Sequence, residues 1–140
     1  MTEKPLQFVL DSFALMAYYQ REPGGARTRE LLEDAHGGQI GLSMTTVNLG
    51  EIAYLLERRR GLEQAQAAIA TLYQEPVELV EVDRLLALSA ARIKIDAGMG
   101  YADCFSAALA QRMGATLVTG DPDFRQVEHL VAIEWLPTGG

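Results

Sequence analysis

Cysteine and histidine are nearly absent from the sequence, which has one cysteine, Cys104, and two histidines, His36 and His129, in 140 residues. A single cysteine cannot form an internal disulfide, and Cys104 lies among alanines in a helical pattern, so we predict a small core residue without a catalytic role. His36 and His129 lack the spacing of metal ligands and are predicted to lie at the surface. These shortages argue against a zinc site and against thiol chemistry.

The chain also lacks any apolar run of the roughly 18 residues that a membrane-spanning helix needs. Its start has no charged segment followed by an apolar one, which a secretory signal would show. We therefore expect a cytoplasmic protein with no membrane partner. Hydrophobic residues make up 49% and charged residues 22% of the chain, which is typical of an ordinary globular protein, and we predict one domain over residues 1–140.

Basic residues are outnumbered, with 12 Lys and Arg against 19 Asp and Glu and a net charge of −7. Broad, non-specific binding to nucleic acid normally requires a basic surface, so this class is disfavoured. A nucleic-acid enzyme is still compatible, because acids gathered around cations in a pocket lower the net charge. Ten of the basic residues are arginine, and the run Arg58, Arg59 and Arg60 could contact phosphates.

Short apolar runs alternate with amphipathic helical patterns along the chain. Strands are predicted at 6–10, 39–44, 77–82, 115–119 and 131–135. Helices are predicted at 13–20, 27–35, 47–60, 62–74 and 84–95, with a further one between the 98–100 loop and Gly114. The alternation indicates an α/β fold with a mainly parallel central sheet of four to five strands, covered by helices on both faces.

Helical spacing predicts which helix faces meet the core. In helix 47–60 the stripe carries Glu51 among Val47, Tyr54 and Leu55. In helix 84–95 the stripe is Leu85, Leu88, Ala91 and Ile95. Predicted N-caps are Ser12, Thr45 or Thr46, and Asp83. A carboxylate on a stripe that faces the core needs a partner, which makes Glu51 a candidate site residue.

Four acids are placed alike in this scheme: Asp11, Glu51, Asp103 and Asp121. Asp11 and Asp121 each follow a predicted strand, Glu51 lies on the core-facing stripe, and Asp103 lies in the first turn of a small-residue helix. In open α/β sheets, ligands bind beyond the carboxyl ends of the strands. The acids are therefore predicted to share one pocket.

Three of the acids also have ordinary structural explanations. Asp121 precedes Pro122, which is the pattern of an N-cap followed by proline at the first helical position. Asp103 in a first turn complements the helix dipole, and Glu51 could reach solvent from a helix edge. Such explanations would have to coincide at one edge of the sheet, so we favour a shared site.

A cluster of unpaired carboxylates repels itself and raises its own pKa values, so a bound cation is the natural compensation. Oxygen ligands in a chain with so little histidine and cysteine favour Mg²⁺ or Mn²⁺ over zinc.

Four segments, in this order and spacing, resemble the PIN-domain ribonucleases and, among them, the VapC-type toxins of bacterial toxin–antitoxin pairs: FVLDSFALMAYY, TTVNLGEIAYLL, YADCFSAALAQ and ATLVTGDPDF. The resemblance covers nearly the whole chain. It implies that Asp11, Glu51, Asp103 and Asp121 are the catalytic, metal-binding acids. It also aligns Ser12 and Thr119 with small hydroxyl positions and Asp123 with an extra acid, although the two hydroxyls could equally be capping or turn groups.

The resemblance further implies a Mg²⁺- or Mn²⁺-dependent endoribonuclease, the toxin of a type II toxin–antitoxin system. It implies cleavage of structured RNA such as transfer RNA, silencing by a cognate antitoxin and a homodimer. A haloacid-dehalogenase-like phosphatase fits poorly, because Asp11 is not followed by the second acid of a D-x-D motif. A receiver-like Mg²⁺-binding signalling domain lacks its early paired acids and late lysine, and a catalytically silent PIN-like scaffold is a further alternative.

Overall fold

A computed structural model describes residues 5–139. Within this range, one sheet has five strands in the order β3-β2-β1-β4-β5, and every neighbouring pair is parallel. The strands are β1 (Leu6–Leu10), β2 (Ile40–Thr45), β3 (Val77–Val80), β4 (Thr116–Thr119) and β5 (Ile133–Trp135). The predicted parallel α/β fold is confirmed, and the predicted strand bounds differ by no more than two residues at either end.

The helices in the described range are α1 (Ser12–Tyr19), α2 (Gly25–His36), α3 (Thr46–Arg60), α4 (Leu62–Leu72), α5 (Arg84–Ala97) and α6 (Tyr101–Met113), with a 3-10 helix at Pro122–Val127. The pairs α1–α2 and α3–α4 pack as hairpins. Predicted caps at Thr45 and Asp83 are confirmed by their hydrogen bonds to Asn48 N–H and Leu86 N–H. Among residues 5–139, no helix has both the length and the apolar character to span a bilayer.

The prediction of Ser12 as the cap of α1 is wrong. Asp11 is the N-cap: its backbone is extended, at φ −88° and ψ −179°, and its side chain accepts the N–H of Ala14. Ser12 is instead the first helical residue and is buried. A carboxylate accepts an N-terminal amide at least as well as a hydroxyl, so the earlier residue starts the helix.

Two hydrophobic cores lie on opposite faces of the sheet. Val9 and Leu117 pack with α5, α6 and the 3-10 helix, whereas Leu10 and Val118 pack with the helices from α1 to α4. Successive residues of a strand point to opposite faces, so β1 and β4 contribute to each core in turn. The chain thereby holds β1 and β4 side by side in the centre of the sheet, with helices on both faces as predicted.

The predicted core stripe of α3 is wrong by one position. Asn48, Ile52 and Leu56 are the buried residues, while Tyr54 is 57% exposed. Glu51 therefore lies at the edge of the buried stripe and is partly exposed. The stripe was predicted from the spacing of apolar residues alone. That pattern missed Asn48, because an amide side chain is not expected in a core.

The predicted core stripe of α5 is also wrong. Leu85, Leu88 and Ile95 are 72%, 69% and 77% exposed, and the buried side chains of α5 are Leu86, Ala90 and Ile93. Both stripes have helical spacing, and the chain buries the one with smaller and fewer apolar groups. An exposed apolar face remains on α5.

Helix α6 is buried nearly all round, since every residue from Cys104 to Ala110 is inaccessible to solvent or almost so. Four of these seven side chains are alanine or serine, which let α3, α5 and β1 approach on different sides. This central position confirms Cys104 as a core residue and brings Asp103, in the first turn, close to the ends of the middle strands.

Candidate active site

A cavity of about 270 Å³ opens beyond the carboxyl ends of β1 and β4, and all four predicted acids line it. Asp11 follows β1, Asp121 follows β4, Glu51 comes from α3 and Asp103 from α6. The other lining residues are Ser12, Phe13, Met16, Glu22, Leu55 and Arg59. The residues therefore meet at the edge of the sheet that the sequence pattern indicated.

Asp11 is the most deeply buried of the acids, with 1% of its surface exposed. Its Oδ1 accepts the N–H of Ala14 at 2.9 Å, and its Oδ2 accepts the hydroxyl of Thr119. Burial raises the pKa of Asp11 to about 8; the two hydrogen bonds oppose this rise, and the charges of Asp103 and Asp121 add to it. Without a cation, this carboxyl is therefore costly to ionise.

Thr119 joins the two strand-end acids. Its hydroxyl donates to Asp11 and accepts the N–H of Asp121 at 3.0 Å. Gly120, between Thr119 and Asp121, packs on the ring of Phe13, where an added Cβ would lie 2.3 Å from a ring carbon. The Thr-Gly-Asp sequence thus combines a bridging hydroxyl, a position where any larger residue would displace the Phe13 ring, and an acid that lines the cavity.

Asp103, in the first turn of α6, is the second acid whose pKa is strongly raised. Partial burial raises its pKa to about 7, with smaller contributions from the charges of Asp121, Glu51 and Asp123. The charges of these acids disfavour the ionised form of Asp103, and a cation bound among them would offset this repulsion. The dipole explanation of Asp103 does not predict a raised pKa, because a helix N-terminus stabilises the ionised form.

Asp103, Asp121 and Asp123 form the tightest carboxylate group in the described part of the chain, with one oxygen of each within 4.8 Å of the others. Asp121 also caps the 3-10 helix, since its Oδ1 accepts the N–H of Asp123 at 2.9 Å and Pro122 occupies the first turn. Asp121 therefore caps the 3-10 helix and also belongs to the group of three carboxylates. Asp123, which sequence analysis ranked as an extra acid, belongs to this group of three, whereas Asp11 and Glu51 line the cavity outside it.

The chemistry of the lining fits a hard divalent cation. Its donors are carboxylate oxygens, and neither histidine nor cysteine is among the described residues that line the cavity. His36 and His129 are exposed elsewhere, as predicted. One basic side chain, that of Arg59, is part of the lining, at the end of α3.

Sequence analysis missed Asn48, a fully buried amide one helical turn before Glu51. A possible signal was its position three residues after Thr45, where its N–H meets the capping hydroxyl at 3.1 Å. It also missed Glu22, which lines the cavity from the turn between α1 and α2. Neither residue follows a predicted strand, lies on a predicted core-facing stripe or begins a helix of small residues, which are the patterns that identified the four acids.

Comparisons with known proteins match this architecture. The family model described as "PIN domain" matches residues 8–130. A protein named "Ribonuclease VapC" from Mycolicibacterium smegmatis is 34% identical over 125 residues, which cover 84% of this chain and 93% of that protein. "Ribonuclease VapC30" from Mycobacterium tuberculosis is 32% identical over 127 residues, which cover 86% of this chain and 94% of that protein.

Solved structures are similar in fold. VapBC2 from Rickettsia felis, crystallised with a DNA fragment from its promoter, gives a TM-score of 0.72 at 17% identity, covering 94% of this chain and 100% of that chain. VapC20 from Mycobacterium tuberculosis, described as a sarcin-ricin loop cleaving toxin, also gives 0.72, at 20% identity, covering 93% of this chain and 99% of that chain. From the family match and the sequence relatives, the chain belongs to the PIN domain family.

Proposed function

We propose that the protein is a Mg²⁺- or Mn²⁺-dependent endoribonuclease and the toxin of a type II toxin–antitoxin pair. The observation that carries the proposal is the cavity in which Asp11, Glu51, Asp103 and Asp121 converge in a PIN domain. Its relatives are named VapC ribonucleases, which supports RNA as the substrate. Residues 1–140 would form a single nuclease domain, active in the cytoplasm, where its substrate is found.

Each acid has a distinct role in this proposal. Asp103 and Asp121 hold the cation with help from Asp123, because their oxygens lie closest together. Asp11, fixed by Ala14 and Thr119, completes the inner wall, and Glu51 faces the group from α3 and orients water or a second ion. A bound divalent cation supplies activation of water and neutralises charge that develops on the attacked phosphate.

Arg59 provides the positive charge that an RNA phosphate needs beside so many carboxylates. It lines the cavity, whereas the neighbouring Arg58 donates to the Tyr54 hydroxyl at 2.9 Å and stacks on its ring on the exposed side of α3. A guanidinium binds two phosphate oxygens at once, which suits a substrate that must be held in one register. We expect the substrate to be structured RNA, such as transfer RNA.

The large groove between the two helical hairpins is the proposed docking site of a cognate antitoxin. It has a volume of about 1020 Å³ and is lined by residues of α1, α2, α3 and α4, with Tyr18, Tyr19 and Leu56 among the apolar ones and Arg29 and Arg60 among the charged ones. VapBC-5 from Mycobacterium tuberculosis, which is similar in fold, is described as a member of the VapBC family of toxin–antitoxin systems, and this supports such a partner. An antitoxin segment there would lie near the acidic cavity, since Glu22 lines both.

The exposed apolar face of α5 supports a homodimer. Leu85, Leu88 and Ile95 project from one helix and are each more than two-thirds exposed. Large apolar side chains in a row on a surface helix mark an interaction surface more often than a solvated one. Burying this face against a second copy would leave the cavity and the groove free.

The decisive test is incubation of the purified protein with total RNA in Mn²⁺, Mg²⁺ or chelator, followed by mapping of the cut ends. We expect cleavage only with metal, and its loss in Asp103→Asn while circular dichroism shows a folded protein. Asp96→Asn, which changes the same group outside the cavity, is the matched control and should cleave normally. Full activity in Asp103→Asn would refute the assignment, and a folded wild-type protein that binds metal but cuts no RNA would favour the silent scaffold.

A further inference from the structure

Asn48 is a buried side chain on which three elements of the site converge. It has no solvent exposure, and its amide makes hydrogen bonds to α1, to α6 and to the residue that caps α3. Buried amides are rare, and one whose bonding capacity is fully used fixes the relative positions of its partners.

The amide nitrogen of Asn48 contacts residues adjacent to two of the acids. It donates to the carbonyl oxygen of Ala102 at 3.1 Å and, more weakly, to the hydroxyl of Ser12 at 3.5 Å. Ala102 directly precedes Asp103, and Ser12 directly follows Asp11. The backbone that carries each of these acids is therefore tied to α3.

The amide oxygen of Asn48 completes the connection. It accepts the hydroxyl of Ser106, one helical turn after Asp103, at 2.9 Å, and it also accepts the hydroxyl of Thr45, the cap of α3. Two donors and two acceptor sites are all that an amide side chain has, so each is used. Aspartate at this position would present an acceptor to the Ala102 carbonyl, and alanine would leave Ser106 and Thr45 without their acceptor.

We propose that Asn48 is a positioning residue that holds α1, α3 and α6 at the separation that places Asp11 and Glu51 beside the cation site of Asp103 and Asp121. Glu51 lies one turn after Asn48 on α3, so the amide determines how that turn faces the first turn of α6. Groups that orient metal-binding side chains typically contribute about 10- to 100-fold to metal affinity. The inference rests on the metal-dependent function proposed above and adds a residue to it.

A role in fold stability alone is the competing explanation, and Thr28 provides the matched control. Its buried hydroxyl donates to the carbonyls of Ala14 and Gly24 at 3.1 and 3.2 Å, and so links α1 with the start of α2. Its hydroxyl makes no hydrogen bond to α3 or α6, which carry Glu51 and Asp103. Thr28→Val and Ser106→Ala each remove one fully buried hydroxyl, and both should lower the midpoint of urea unfolding.

The test measures Mn²⁺ binding without RNA, by titration with electron paramagnetic resonance detection of free Mn²⁺, on wild type, Asn48→Ala, Ser106→Ala and Thr28→Val. We expect Kd to rise about 10-fold or more in Asn48→Ala, by a smaller factor in Ser106→Ala, and to stay within about 2-fold in Thr28→Val. Wild-type Kd in a folded Asn48→Ala protein would overturn the proposal. If Asn48→Ala does not fold, Ser106→Ala decides, and an unchanged Kd there overturns it equally.

The same titration separates this proposal from the proposed function. If the Mn²⁺ affinity depends on Asn48 as expected but the wild-type protein cuts no RNA, the nuclease assignment is refuted and the positioning role stands. If the wild-type protein cuts RNA but Asn48→Ala and Thr28→Val change the Kd for Mn²⁺ equally, the nuclease assignment stands and the positioning role of Asn48 is refuted. Absence of any Mn²⁺ binding in the wild-type protein would overturn both.

Discussion

Replacing Asp103 by asparagine should stabilise the metal-free protein, although it removes a proposed metal ligand. The folded pKa of Asp103 is about 7, raised from 3.8 mainly by burial and then by Asp121, Glu51 and Asp123. A raised folded pKa means that the protonated carboxyl favours the folded state below pH 3.8, and that this stability is lost as pH rises through about 7. Asparagine resembles the protonated carboxyl at every pH and so avoids the loss.

The magnitude follows from the pKa difference. Each pKa unit corresponds to about 1.4 kcal/mol, so the interval from 3.8 to about 7 amounts to about 4 kcal/mol before screening. Asp103 is only partly buried, and solvent screening reduces this to about 2 kcal/mol. For a domain of this size, the melting temperature of Asp103→Asn should exceed that of wild type by roughly 6 to 8 °C above pH 8, and by progressively less toward pH 4.

The assay is thermal unfolding in chelator at pH values from about 4 to 8.5. Asp83→Asn is the control, because Asp83 is an exposed N-cap whose pKa is lowered by the N–H of Leu86 and by Arg112. That variant should be slightly less stable at neutral pH and match wild type in acid. An Asp103→Asn protein that is no more stable than wild type at pH 8, or equally more stable at all pH values, would refute the argument from clustered charge.

Three further predictions concern other parts of the molecule. Asp121→Asn should keep the cap of the 3-10 helix, but Mn²⁺ should raise its free energy of unfolding less than that of wild type, which rises by about 2.7 kcal/mol at 100 times Kd. If Mn²⁺ stabilises the variant and the wild type equally, Asp121 is a cap only. Arg59→Ala should raise KM for RNA about 10-fold, because a phosphate contact of about 1.4 kcal/mol is lost, while Arg58→Ala should leave KM near the wild-type value. If the two variants change KM equally in steady-state cleavage, Arg59 makes no specific contact with the phosphate. Leu88→Lys should shift the protein from dimer to monomer in sedimentation while circular dichroism shows a folded protein, and a wild-type protein that is already monomeric at micromolar concentration would contradict the α5 interface.

The parallel sheet was predictable because its strands are short, apolar and bounded by strong helix signals. A short apolar run predicts the strand at Leu6–Leu10, which Asp11 follows directly. A second apolar run, between Gly114 and Gly120, predicts the strand at 115–119. The convergence of Asp11 and Asp121 follows in turn, since strands that run in the same direction end at the same edge. These inferences use only neighbours in sequence.

The faces of α3 and α5 were not predictable from apolar spacing, because each helix has two stripes with acceptable periodicity. In α5 the stripe of Leu86, Ala90 and Ile93 packs inside and the stripe with Leu88 and Ile95 stays outside. The choice depends on which face of α5 packs against α6, and the small Ala90 lies in the same core cluster as the buried residues of α6. In α3, the buried Asn48 gains its place from partners 36 to 58 residues away.

Capping and metal binding, which sequence analysis treated as competing explanations of an acid, are compatible in the same carboxylate. Each carboxylate has two oxygens, and Asp121 uses Oδ1 to accept the N–H of Asp123 while an oxygen of its side chain lies within 4.8 Å of those of Asp103 and Asp123. Asp11 likewise caps α1 with Oδ1 and takes the Thr119 hydroxyl on Oδ2. A cap restricts the rotamer of the acid, and an acid held in one rotamer loses less entropy when it binds an ion. The local signals that favoured a purely structural explanation of these acids are thus the same features that would orient them toward a cation.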